Sequence, residues 1–176
     1  MEQGIFFEPG SGIALSARGS SMLFKAVADT TSGAFSLMER QLPVSNHRPQ
    51  PHRHQGPEGF YVLEGSIEFV VGAQSRIGGP GFWALVPGGV GHTFGNTGES
   101  SARLLIIHAP AADAYFVELQ TLWGQIEPPT PEEERALMRR HGLEPVEPDP
   151  QVDSESRIRG AAPAFEDEPQ VRRHET

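Results

Sequence analysis

The sequence of 176 residues contains no cysteine. That excludes thiolate-ligated zinc, iron–sulfur clusters, disulfide staples and thiol catalysis, and it fits a reducing, cytoplasmic setting. Positive charge is also scarce: 14 Lys and Arg against 23 Asp and Glu leave a formal net charge of −9 and a pI near 5.2. A surface of that sign argues against binding to nucleic acid and to anionic membranes. No apolar run approaches the roughly 18 residues of a membrane span. The start, MEQGIFFEPGSG, lacks the basic and apolar regions of a secretory signal. The chain therefore has to stabilise itself through a hydrophobic core, and its length suits one domain with appendages.

What is present divides into three parts. Residues 1–110 read as all-β: short apolar segments (MLFKAVA, AFSLMERQL, GFYVLEG, SIEFVVG, GFWALVP, ARLLIIHA) alternate with turns rich in Gly, Pro, Ser and Asn. Spacing near ten residues predicts a sandwich or barrel rather than βαβ units. Residues 111–142 change to helical spacing. Tyr115, Phe116, Leu119, Leu122 and Trp123 fall on one face. A second helix follows, with Thr130 as N-cap, Pro131 at the first position, Glu133 completing a capping box and Gly142 as the stop. Residues 143–176 hold five prolines and nine acidic against four basic residues. Low hydrophobicity with dispersed proline predicts a disordered acidic tail.

The chemistry-bearing residues are concentrated in two segments, PHRHQGPEGFYVLEG and GFWALVPGGVGHTFGN. His52 and His54, two apart on a strand, face the same side. Glu58 lies four further on across a Gln-Gly-Pro turn, and Gly65 permits the tight turn that follows. In the second segment Pro87 and Gly89 end one strand, and His92 opens the next, with Phe94 and Asn96 on its face. If the sheet closes on itself, His52, His54, Glu58 and His92 can bind one divalent metal ion. Imidazole suits Zn, Cu, Fe and Ni, and a carboxylate adds a hard oxygen donor. Such a mixed site accommodates Fe, Ni, Mn, Co, Cu or Zn and leaves positions open for catalysis.

These residues resemble the two motifs of the cupin superfamily. His52, His54, Glu58 and Gly65 match the first; Gly81, Pro87, Gly89, His92 and Asn96 match the second. The glycine expected six residues before His52 is Asn46, which tolerates left-handed geometry. The resemblance implies an antiparallel jelly-roll β-barrel, followed here by C-terminal helices, with His52, His54, Glu58 and His92 as metal ligands. FFEPGSG, GFYVLEGSIEFVVG and VPGGVGHTFGNTG further resemble small bacterial quercetin-dioxygenase-like cupins, many of which serve secondary metabolism. That likeness implies a second role for Glu58, as a base that takes a proton from a bound hydroxyl.

The resulting expectation is a metal-dependent dioxygenase acting on a small enolic or phenolic substrate. The alternatives are an O2-independent cyclase, isomerase or decarboxylase, and a small-molecule-binding barrel. The partners expected are the substrate, O2 and a second copy of the chain in a homodimer. Phe60, Trp83 and Phe94 are candidate lining residues for a substrate pocket, with Met38 and Phe35 as weaker ones. His108 reads as a barrel-end histidine, with a polar group inside the cavity as its other reading. His47, His141 and His174 read as solvent-exposed.

Overall fold

A computed structural model describes residues 4–44 and 48–147, together with the backbone of Ile158–Arg159. Asn46, His47, His174 and most of the 143–176 segment lie outside the described residues. The described residues form two six-stranded sheets that face each other as a jelly-roll barrel. One sheet runs in the order β1 (Ile13–Ala17), β2 (Ser20–Ala26), β3 (Ser36–Leu42), β10 (Ala102–His108), β5 (Glu58–Glu64) and β8 (Trp83–Val86). The other runs β11 (Glu144–Pro145), β4 (His52–Arg53), β9 (His92–Asn96), β6 (Ile67–Val71), β7 (Gln74–Gly78) and β12 (Ile158–Arg159). All pairs are antiparallel except β12 with β7. A four-residue helix, α1 (Ala28–Thr31), links β2 to β3.

Period-two alternation explains the sheets. In β10 every second residue (Ala102, Leu104, Ile106, His108) is buried, and β3 buries Ser36, Met38, Arg40 and Leu42 in the same way. The inward apolar residues of the two sheets meet as one core. Phe60, Phe69 and Phe94 stack at its centre with ring centroids 4.9–6.4 Å apart. Gly65 holds φ 81°, and a side chain there would meet the Ala102 backbone at 2.7 Å, so only glycine closes the β5–β6 turn.

Helices α2 (Asp113–Trp123) and α3 (Pro131–Arg140) appear where the periodicity places them. Thr130 Oγ1 accepts the Glu133 N–H and the Glu133 carboxylate accepts the Thr130 N–H, so the capping box forms. α2 lays Tyr115, Phe116 and Leu119 on the barrel and α3 adds Leu137 and Met138. No helix among the described residues is long and apolar enough to cross a membrane.

One boundary differs from the expectation. Residues 143–147 are part of the fold rather than of the tail. Leu143 packs against the core, Pro145 pairs with His52, and the Val146 N–H donates to the Pro51 carbonyl at 2.9 Å. A proline-rich segment suits an edge strand, where half of the backbone groups face away from the sheet. Its effect is to cover β4, which carries the first of the candidate ligands.

Candidate metal centre

Register brings the four candidate ligands together. His52 on β4 stands directly opposite His92 on β9, so two imidazoles of the second sheet share one level. His54 follows β4 immediately. The chain then turns through Gly56, where a side chain would strike the Ala109 carbonyl at 1.9 Å, and enters the other sheet at Glu58. The cluster thus bridges the sheets. Ring centroids of His52 and His54 lie 4.5 and 5.0 Å from that of His92, and the four candidate donor atoms all lie within 4.8 Å of one another.

The hydrogen bonds around the imidazoles assign their tautomers. Nδ1 of His52 donates to the Gln50 carbonyl at 2.8 Å, Nδ1 of His54 to the Gly56 carbonyl at 2.8 Å, and Nδ1 of His92 to the Val90 carbonyl at 3.0 Å. A carbonyl only accepts, so each Nδ1 bears the proton and each neutral ring turns a bare Nε2 inward. Burial, followed by the neighbouring His92, pushes His52 down to about 3, which keeps it neutral. Yet Oε2 of Glu58 stands 3.0 Å from His54 Nε2 and 2.9 Å from His92 Nε2. Lone pairs face lone pairs, and such a centre requires protons or a cation. Burial works against a charged His54, but the Glu58 carboxylate still raises its pKa. A divalent ion meets the same requirement at all four donors at once. The three backbone carbonyls already orient the rings for it. The residues present therefore fit a metal.

Sequence reasoning undervalued His108. It is buried in the cavity, not at a solvated barrel end. β10 pairs with β3 and β5 so that Ser36, His108 and Glu58 form one inward row. His108 Nε2 lies 3.0 Å from Glu58 Oε1, and its Nδ1 lies 3.4 Å from the Ser36 hydroxyl. This histidine has the opposite tautomer: Nε2–H donates to Glu58 and Nδ1 accepts from Ser36. Burial opposes the ionised carboxylate, but His108, donating to Oε1, holds Glu58 well below the usual carboxylate range.

The centre opens into a cavity of about 260 Å³. Phe94 and Met38 line it. Phe60 and Trp83 do not. Phe60 is packed among Phe69 and Phe94 in the core. Trp83 is half exposed, because strand alternation sends Ala84 and Val86 inward and Trp83 outward. Phe35 is half-buried away from the cavity. His141 is largely covered, lines the cavity and pairs with Glu118 at 3.0 Å. The cavity wall also holds Arg18, Arg40 and Tyr115, none of which the sequence singled out as polar cavity groups.

The family model described as a cupin domain matches residues 39–108. Residues 39–108 are a cupin domain. All four candidate ligands and His108 lie within it. Solved structures share its shape. KdgF from Halomonas sp. is 17% identical with a TM-score of 0.53, over 62% of this chain and 98% of that one. An RmlC-like cupin from Shewanella frigidimarina is 17% identical with a TM-score of 0.52, over 65% and 99%. The cupin domain of Cnp3 from Schizosaccharomyces pombe is 18% identical with a TM-score of 0.52, over 62% and 76%. At these identities the likeness is one of fold. No curated protein matches the sequence. The helices, β11 and the strands before residue 39 lie outside the matched segment, and they supply Arg18, Tyr115 and His141 to the cupin cavity.

Proposed function

We propose that this cupin is a metal-dependent dioxygenase in which His52, His54, Glu58 and His92 hold the ion and Glu58 deprotonates a small enolic or phenolic substrate. The observation that carries the reading is the position of the Glu58 carboxylate, shared between the imidazole cluster and His108 at the cavity floor. A bound divalent ion would supply Lewis acidity and, when redox-active, electron transfer to dioxygen.

The protein's own groups account for the rest. Glu58 is within reach of the donor cluster and of the cavity, so a hydroxyl seated there can pass its proton to the carboxylate. His108 fixes Oε1 and leaves Oε2 to face the cluster. Met38, Phe94, Ile106 and Phe116 exclude water from the electron-rich carbanion that results. That carbanion is the species a dioxygenase oxidises.

A second reading keeps the base and omits dioxygen: a cyclase, isomerase or decarboxylase. It is favoured by the Ser36–His108–Glu58 row, which can hold a proton and return it to another carbon, a step oxidation does not need. An oxygen electrode separates the two. Metal-reconstituted protein given a panel of enols and phenols should consume O2 in step with product. Product formed at full rate anaerobically, or with redox-inert zinc, would instead establish the second reading. The double variant His52→Ala, His92→Ala should lose metal by elemental analysis and all turnover; retained turnover contradicts both readings.

A further inference from the structure

Two guanidinium groups stand in the cavity wall, and they differ in how they are satisfied. Arg18 occupies the β1–β2 turn with φ 54°, an uncommon value for a side-chain-bearing residue, and this turns it into the barrel. Its Nε donates to Glu134 Oε1 at 2.6 Å and its Nη2 to the Tyr115 hydroxyl at 2.9 Å. Arg18 is therefore charge-paired. Arg40, also 2% exposed, forms no ion pair with a carboxylate among the described residues. Its Nε donates to Ser20 Oγ at 2.8 Å, its guanidinium lies 5.6 Å over the Phe94 ring, and its Nη2 is buried without a partner. Among the described residues it is the one buried side-chain nitrogen left so, and an unsatisfied buried charge is costly unless something completes it.

Charge counting points the same way, and this step rests on the metal reading above. Arg18 and Glu134 cancel. Neutral imidazoles add nothing, Glu58 adds one negative charge, and Arg40 adds one positive. With a divalent ion the buried cavity carries two uncompensated positive charges. Burial, followed by Arg18, lowers the Arg40 pKa to about 9, so it remains charged at neutral pH. Besides Arg18 and Tyr115, the cavity offers an apolar wall of Phe94, Met38, Ile106 and Phe116.

We propose that Arg40 is an anion-recognition residue and that the cavity takes a small carboxylate with an apolar body. The carboxylate accepts from the Arg40 guanidinium, and the apolar portion lies against Phe94 and Met38 with its reacting carbon toward Glu58. The volume of about 260 Å³ holds a molecule the size of a one-ring aromatic acid.

Benzoate and its neutral isostere benzamide test this by titration calorimetry on zinc-loaded full-length protein, with zinc content measured on the same samples. Benzoate should bind at least tenfold more tightly than benzamide. Arg40→Met should weaken benzoate at least tenfold, leave benzamide unchanged and retain the wild-type zinc stoichiometry. Arg40→Lys, which restores the charge, should recover part of the loss. Should Arg40→Met fail to fold, the benzoate–benzamide ratio and Arg40→Lys decide. The proposal is overturned if benzamide binds as well as benzoate, if millimolar benzoate does not bind, or if Arg40→Met binds benzoate within twofold of wild type. Absence of zinc from the wild type would remove the metal reading alone. The same comparison on the metal-free protein, where Arg40 is unchanged, would then decide the anion site.

Discussion

At the scale of single residues, the centre depends on which ring nitrogen carries the proton. His52, His54 and His92 each commit Nδ1–H to a carbonyl two residues away, whereas His108 commits Nε2–H to Glu58. The first three turn Nε2 inward as candidate donors to a metal; the fourth orients the carboxylate. Replacing His108 by Leu keeps the bulk but leaves Oε1 without a donor inside an apolar wall. Metal affinity should fall by about 10–100-fold, as expected when a partner of a ligand is removed. Calorimetric zinc titration of the variant against wild type measures this; an unchanged affinity would mean that His108 does not position Glu58. The candidate ligands were legible in the sequence because HxH, the glutamate and the third histidine are local patterns framed by turn residues. His108 was only half legible. Its inward parity with Leu104 and Ile106 could be read, but its level in the barrel is set by register against β3 and β5, and no local pattern encodes that.

At the scale of elements, α3 is tied to the barrel by one buried carboxylate. Glu134 accepts from Arg18 Nε, from Trp123 Nε1 at 2.8 Å and from Gln50 Nε2 at 3.2 Å. It therefore joins the β1–β2 turn, α2 and the segment before β4. Burial opposes its charge, but Arg18, Trp123 and Gln50 hold its pKa below the ordinary 4.5. The sign follows: a depressed carboxylate stabilises the fold above about pH 4.5 and loses that contribution as pH falls through the lower, folded-state value. Wild-type protein should therefore lose stability between about pH 4.5 and lower pH more steeply than Glu134→Gln. Denaturant melts followed by circular dichroism across that range check it, and parallel slopes would contradict it. At pH 7, Glu134→Ala should cost about 3–5 kcal/mol, because Arg18 is left buried and unpaired. The helix itself was readable from Thr130, Pro131 and Glu133. Its attachment was not, since Arg18 and Glu134 lie far apart in the sequence and nothing periodic links them. β1, β7 and β11 escaped notice for a different reason. As edge or near-edge strands they have few buried apolar residues, so they lack the alternation that marked β3, β5 and β10.

At the scale of the whole molecule, the centre is a clasp between the two sheets. His52 and His92 belong to one sheet, Glu58 to the other, and His54 to the chain that crosses between them. Without a cation the clasp is held by shared protons at best, since bare Nε2 atoms and a carboxylate oxygen face one another at 2.9–3.0 Å. A bound ion converts that repulsion into attachment across the barrel, and an ion that binds only the folded state stabilises it by mass action. At a free concentration one hundred times the dissociation constant, the gain is about 2.7 kcal/mol. For a chain of this length that corresponds to a rise in melting temperature of about 5–10 °C. Zinc is the suitable probe, because no redox chemistry accompanies its binding. Calorimetric melts of metal-stripped protein with and without zinc should show the rise, and the chelator EDTA should reverse it. His52→Ala with His92→Ala should melt at one temperature whatever the zinc concentration, since two of the four donors are gone and both come from the same sheet. A wild-type melting temperature indifferent to zinc, nickel, manganese and iron alike would mean that the four residues do not join the sheets through a metal.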